Sequence, residues 1–307
     1  MNSTAALGIP GLWPALMTPL DAALAIDHAK FAAHARGLLA AGCGGVTPFG
    51  TTGEGPSFSV AERSAAVDAL IAGGIPAPRI LASVSCAALP DTIALTRHAQ
   101  RAGCWGVLLM PPFFFKGVGD AGIVDSYTQV LDAVPDRTLR VVLYHIPQVS
   151  GVALSHAVIA ELLRRYGERI VAIKDSAGER AHALALAEAF MPMLGVHVGH
   201  ELDLPAMARY GSRGAVSGLA NFMPRLVHRL ACQPDAAVAA ADLARVERLL
   251  AWLGGYALIP ALKAVMAVQT GDAAWLRVRA PLKALDAALL ETFSRELAAL
   301  ELDASTD

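Results

Sequence analysis

Charge is scarce in this sequence. Only 17% of its 307 residues are Asp, Glu, Lys or Arg, against about 25% in ordinary globular chains. The 25 basic and 27 acidic residues leave a formal net charge of −2. That balance argues against nucleic acid as a partner, because phosphate contacts require a concentrated basic surface. Cysteine is sparse as well. Cys43, Cys86, Cys104 and Cys232 are widely spread, form no C-x-x-C pair and have no His in a zinc-type spacing, so they read as reduced thiols of a cytoplasmic protein. There is no G-x-G-x-x-G after the first strand-like run and no G-x-x-x-x-G-K-[ST], which removes the two common nucleotide-binding signatures. Met1-Asn2-Ser3-Thr4 lacks the basic and then apolar pattern of a signal peptide. Long apolar runs are missing too. The most membrane-like stretch, 249–266, is bounded or broken by Arg248, Gly254, Gly255, Pro260 and Lys263, whereas a spanning helix wants ~20 mostly apolar residues. It reads as a buried helix pair, and no membrane association is expected.

What the sequence does have is apolar material, 55% of all residues, enough for a large core. Its length leaves one large domain or two ordinary ones open. Short apolar runs suited to strands fall at 12–17, 45–48, 80–84, 107–110, 141–145, 170–174, 196–198 and 215–217. Ala- and Leu-rich helical stretches alternate with them near 28–41, 61–72, 90–102, 120–133, 155–166, 179–190 and 203–210. The strand-to-strand step averages about 28 residues, close to the ~30 of a βαβ unit. The runs are apolar throughout rather than alternating, as parallel strands covered on both faces require. A doubly wound open sheet is the rival, but it usually has fewer strands and often carries a glycine-rich nucleotide turn. The pattern favours an α/β fold, a (β/α)₈ TIM barrel over residues 1–225 with a C-terminal helical segment over 226–307. Helical patterns in that segment fall at 236–253, 256–269, 274–279 and 282–301, and 303–307 read as a frayed end.

In such a barrel, chemistry sits at the C-terminal ends of the strands and in the loops after them. Thr51, Thr52 and Glu54 follow strand 2, Tyr144 and His145 end strand 5, and Lys174 and Asp175 end strand 6. Lys174 closes the apolar run Ile170-Val171-Ala172-Ile173. An ammonium there is costly unless paired. Desolvation favours the neutral amine, the form that condenses with a carbonyl to a Schiff base. By position alone, an ion pair of Lys174 with Asp175 or a Glu that closes the barrel explains it as well. Gly50-Thr51-Thr52-Gly53-Glu54-Gly55 supplies two hydroxyls and several backbone N–H groups in a glycine-permitted turn, a cradle for carboxylate or phosphate. A tight βα turn whose threonines satisfy backbone groups fits the same residues. Tyr144 is either a proton donor and acceptor or a core tyrosine with a bonded hydroxyl. His145 faces away from Tyr144 by strand alternation, packed between barrel and helices or supporting the site from behind. Cys86, near the mouth, reads as inert.

Taken together, Gly50-Thr51-Thr52-Gly53-Glu54, Tyr144-His145-Ile146-Pro147 and Ile173-Lys174-Asp175-Ser176 resemble the dihydrodipicolinate synthase/N-acetylneuraminate lyase family. The opening run Gly11-Leu12-Trp13-Pro14-Ala15-Leu16-Met17-Thr18-Pro19 and Gly214-Ala215-Val216-Ser217-Gly218 agree with it, so the resemblance covers nearly the whole chain. It implies a (β/α)₈ barrel, usually assembled as a homotetramer built from two dimers, with no metal or dissociable cofactor. It makes Lys174 the residue that condenses with pyruvate or another 2-oxo acid, and Tyr144 the proton shuttle. Thr51 and Thr52 would hold the substrate carboxylate, with Val216, Gln148 and Glu201 as further substrate contacts.

The departures from the family narrow the substrate. Where the synthase branch places an arginine five residues after the tyrosine, to bind the second carboxylate, this chain has Val149. Where that branch lends a tyrosine from a neighbouring subunit, this chain has Phe114. Valine offers no donor and phenylalanine relays no proton. Sialic acid lyases resemble Gly-x-Asp-Glu after strand 7. Here the run is Gly199-His200-Glu201-Leu202, with a single acid. The expected activity is thus a Schiff-base lyase or aldolase that forms or cleaves a 2-oxo-4-hydroxy acid, with pyruvate and an aldehyde as partners. Alternatives are a 2-oxo acid dehydratase or hydratase, or the synthase itself, through the same imine. A third is a 2-oxo acid binding protein without turnover.

Overall fold

The computed structural model describes residues 8–191 and 193–300. The readings at 1–4 and 303–307 lie outside the described residues. Eight strands appear: β1 (Gly11–Leu16), β2 (Thr47–Pro48), β3 (Leu81–Ser83), β4 (Gly106–Leu109), β5 (Val141–His145), β6 (Ile170–Asp175), β7 (Gly195–Val198) and β8 (Gly214–Ser217). Between them run α1 (His28–Ala40), α2 (Val60–Ala72), α3 (Leu89–Arg101), α4 (Asp120–Ala133), the single turn α5 (Pro147–Ser150), α6 (His156–Tyr166), α7 (Arg180–Phe190) and α8 (Leu204–Tyr210). After β8 come α9 (Pro224–Cys232), α10 (Ala239–Leu253), α11 (Leu258–Thr270) and α12 (Ala287–Ala299). The strands pair in parallel as two arcs, β2-β1-β8 and β3-β4-β5-β6-β7. A parallel bridge between Val46 and Ile80 joins one seam. At the other, His197 on β7 lies 2.8 Å from the Gly214 carbonyl at the start of β8. The result is the expected (β/α)₈ barrel with appended C-terminal helices.

Strand alternation divides the apolar residues into two sets. Trp13, Ala15, Leu81, Leu108, Val142, Tyr144, Ala172 and Val216 fill the barrel interior. Leu12, Leu16, Val107, Leu143, Ile173 and Val196 face outward under the helices. Layered side chains plug such a barrel, so its chemistry is pushed to the rim. His197 belongs to the plug. Its Nε2 accepts from the Ile9 N–H at 2.9 Å, so Nδ1 carries the proton and donates to Gly214. Burial holds its pKa down, to about 4.

Three helices differ from the sequence reading. The one expected over 274–279 is only a 3₁₀ turn, Ala273–Leu276, which the chain leaves extended at Arg277. α9 was not anticipated. It packs on β1 and β8 as the eighth barrel helix and buries Leu226, Val227, Leu230 and Ala231. The expected division at residue 225 therefore falls in its first turn. The helix expected over 282–301 starts only at Ala287, where the Asp286 carboxylate caps the Leu289 N–H at 2.9 Å. The chain before it is held extended by arginines reaching barrel carbonyls. Arg277 donates to Leu20 O at 3.0 Å, and Arg279 to Leu24 O at 2.9 Å and Ser57 O at 3.0 Å. Arg279 also pairs with Glu62 at 2.6 Å. Among the described residues no single helix is long and apolar enough to cross a membrane. α10 and α11 pass that test only as a pair bent by 120°.

One buried ion pair ties α11 to the loop after β2. The Lys263 ammonium meets the Glu54 carboxylate with both side chains fully buried, and Lys263 also donates to Arg277 O at 2.7 Å. Burial pushes Glu54 up and Lys263 down, each opposed by attraction to the other. Breaking such a pair from one side is expected to cost about 3–5 kcal/mol, because the partner is left dry and uncompensated. Lys263→Met should therefore lower the denaturant-derived unfolding free energy by about that much, and adding Glu54→Gln should recover part of the loss. Additive losses in the double variant would show that the two groups do not act as a pair.

Candidate active site

The candidate site is assembled by the register of β5 against β6. Tyr144 lies directly opposite Lys174, and His145 opposite Asp175. Alternation turns the first pair toward the barrel axis and the second toward the helices. Lys174 Nζ rests 4.3 Å from the centre of the Tyr144 ring, and both residues are buried. No carboxylate pairs with this ammonium among the described residues. Asp175 points the other way, accepting from Ala177 N at 2.9 Å and meeting His182 Nδ1 at 2.9 Å. In place of a barrel-closing ion pair, the lysine amine rests against an aromatic face.

The Gly50–Gly55 turn brings Thr51 over β5. Thr51 Oγ1 and Tyr144 Oη lie 3.3 Å apart, so a proton can pass between a threonine hydroxyl and the phenol. Thr52 sits beside Gly218 after β8. A Cβ on that glycine would lie 3.0 Å from Thr52 Oγ1. Gly199, after β7, is demanded by the lysine, since a Cβ there would come within 2.6 Å of Lys174 Cε and 2.2 Å of Ser176 Oγ. The cradle and the amine therefore converge from four loops onto one end of the barrel.

A cavity of about 260 Å³ opens beside them, lined by Thr51, Ser83, Ser85, Tyr144, Phe113, Val149, Ile259, Pro281 and Leu282 among others. Lys174 does not line this cavity, but its amine lies against the Tyr144 ring that does. Val216 faces the barrel interior as part of the plug beneath. Gln148 is exposed and donates to Ser176 O at 2.5 Å. Glu201, expected near a substrate hydroxyl, is buried with one carboxylate oxygen accepting from Ser217 Oγ at 2.6 Å and Leu219 N at 3.3 Å. In this arrangement that oxygen braces the end of β8.

Several wall residues escaped the sequence reading. Ser83 ends β3 on the interior face and was legible by alternation. Ile259, Pro281 and Leu282 carry no local signal, because only the docking of the C-terminal segment brings them to the rim. Behind the site, His145, Asp175 and His182 place ligand-type atoms within 4.8 Å of one another. The two imidazoles, however, stack at 4.5 Å with 19° between planes. Nearly parallel rings cannot aim their lone pairs at one cation. His145 Nδ1 accepts from Leu154 N at 3.1 Å, and burial lowers its pKa. The cluster is packing between barrel and helices.

Fold and site together define a barrel enzyme with a lysine and a tyrosine paired on adjacent strands. The chain belongs to the Dihydrodipicolinate synthetase family, whose sequence profile matches residues 9–300. It is accordingly an enzyme, a lyase of the class I aldolase type. It is 34% identical over 297 residues to a DapA-like lyase of Chloroflexus aurantiacus, covering 94% of this chain and 97% of that one. Among solved structures it is similar to dihydrodipicolinate synthase from Agrobacterium tumefaciens, with a TM-score of 0.88 and 33% identity over 95% of this chain and 99% of the other. YagE, a prophage protein of the dihydrodipicolinic acid synthase family from E. coli K12 solved in complex with pyruvate, aligns with a TM-score of 0.85 and 25% identity, covering 96% and 99%.

Proposed function

We propose that this enzyme forms or cleaves the C3–C4 bond of a 2-oxo-4-hydroxy acid, with pyruvate and an aldehyde as the smaller partners. The pairing of Lys174 with Tyr144, and of the Tyr144 hydroxyl with Thr51, carries this reading. The neutral Lys174 amine attacks C2 of the 2-oxo acid. The carbinolamine then loses water, and its hydroxyl leaves with a proton supplied by Tyr144. The resulting iminium withdraws electrons from C3. Cleavage of C3–C4 sends the bonding pair into an enamine while the C4 hydroxyl gives its proton to the Tyr144 phenolate left by the previous step and becomes the aldehyde. Protonation at C3 and hydrolysis return pyruvate and the free lysine. Thr51 and Thr52 hold the carboxylate throughout. The pyruvate found in the YagE complex supports the choice of partner. Val149 offers no donor for a second carboxylate, which turns the reading away from the synthase reaction.

Dehydration is the second reading, because the uncleaved iminium can instead lose a proton from C3, and the enamine so formed, still bonded to C4, expels the C4 hydroxyl as water. Incubation with pyruvate and borohydride should leave a stable added mass on the peptide carrying Lys174. A folded protein that forms no adduct would sink the imine. A panel of 2-oxo-4-hydroxy acids, scored for pyruvate release against water loss, then separates bond cleavage from dehydration. We keep the homotetramer as part of the proposal, supported by the exposed Phe114 and Phe115. A cytoplasmic setting is supported by four cysteines that form no disulfide.

A further inference from the structure

The cavity beside Tyr144 is lined by two chemically different sets of side chains. One set supplies the hydroxyls of Thr51, Ser57, Ser83, Ser85 and Tyr144. The other is apolar and includes Phe113, Val149, Ile259, Pro281 and Leu282. Val149 and Pro281 are exposed, and Phe113, Ile259 and Leu282 partly so. We infer that the apolar lining receives the tail of the second reactant, and that the tail is uncharged and apolar, of about the size of one aromatic ring or a short alkyl chain. The inference rests on the proposed imine chemistry, in which the tail is what C4 carries away from Lys174.

The charges around the cavity support this choice. Among the described residues its wall contains no lysine, arginine or histidine, and its carboxylate, Glu54, is already matched by Lys263 in a fully buried pair. The cations nearby are spent on backbone. Lys116 donates to the carbonyls of Phe113 and Ser150, and Arg279 to those of Leu24 and Ser57. Ser85 Oγ accepts the Met110 N–H at 2.8 Å. A carboxylate tail would find no cation in that wall. An unpaired buried hydroxyl is destabilising, whereas each methylene that fits such a pocket improves discrimination about 10- to 200-fold. A volume of about 260 Å³ is below the ~300–1,000 Å³ of drug-sized sites, which limits the tail to roughly one ring.

The test offers pyruvate with benzaldehyde, glyceraldehyde or succinic semialdehyde to the full-length protein, alongside borohydride trapping of pyruvate alone. The expected result is a Lys174 adduct together with kcat/KM for benzaldehyde about 10²-fold or more above the other two. An adduct accompanied by equal rates, by no aldehyde turnover, or by preference for glyceraldehyde or succinic semialdehyde overturns the apolar tail while the imine stands. No adduct overturns the imine and this inference with it. Leu282→Asp places a charge in the apolar lining, on a segment outside the regular helices. It should lower the benzaldehyde to glyceraldehyde ratio about 10-fold or more, and an unchanged ratio would exclude Leu282 from the tail site.

Discussion

Lys174→Ala is expected to lose turnover by about 10⁴- to 10⁶-fold, the usual cost of removing a covalent nucleophile. The same variant should form no borohydride-trapped adduct with pyruvate. The argument rests on where the amine sits. It ends β6 in the barrel mouth, 4.3 Å from the Tyr144 ring, while the carboxylate next to it in sequence is engaged by His182 and Ala177. Were Lys174 a structural ion pair, its removal would leave a buried carboxylate stranded and the protein would be destabilised by about 3–5 kcal/mol. With no such partner, Lys174→Met, which keeps much of the side-chain volume, should melt close to the parent while remaining inactive. Inactivity with a large drop in Tm for both variants would instead make the lysine a structural element. Full activity in a folded Lys174→Ala would end the Schiff-base account.

Tyr144→Phe should lower kcat by about 10²- to 10⁴-fold, the span of a positioned acid or base. The substitution keeps the ring under Lys174 and deletes only the hydroxyl that faces Thr51 Oγ1 at 3.3 Å. Packing is retained, and the lost hydrogen bond is worth about 0.5–1.5 kcal/mol, so Tm should move little. The adduct with pyruvate should still accumulate, only more slowly, since the carbinolamine loses its proton donor but the nucleophile remains. Rapid adduct formation and near-normal kcat would strip Tyr144 of the shuttle role and leave it as the surface against which the lysine packs. Thr51→Val, by removing the partner hydroxyl while keeping the shape, provides the matching measurement. A loss much smaller than that of Tyr144→Phe would show that the phenol works without the threonine.

Much of this protein was legible before any coordinates. Short apolar runs separated by capped helical stretches are local signals, so β5 was placed at 141–145 and β6 at 170–174, within a residue of the strands observed. Ser59 and Glu62, three residues apart, form the capping box that starts α2. Strand alternation alone sets His145 on the face opposite Tyr144. These features depend on residues a few positions apart, which is why one chain suffices to reveal them. α9 was within reach of the same logic, with a proline at its first turn and an apolar stripe at Leu226, Val227, Leu230 and Ala231, yet its nine residues lay between two stronger patterns. The tertiary structure alone decided the rest. It turned Asp175 to His182, which left the lysine without a carboxylate. It set Glu201 under Ser217, and it carried Ile259, Pro281 and Leu282 across the barrel mouth to wall the cavity. The last of these placements follows from side chains of the distant C-terminal segment, Lys263 on Glu54 and Arg277 and Arg279 on barrel carbonyls. Pairings between segments some two hundred residues apart are set by the packing of the whole chain, and no local pattern encodes them.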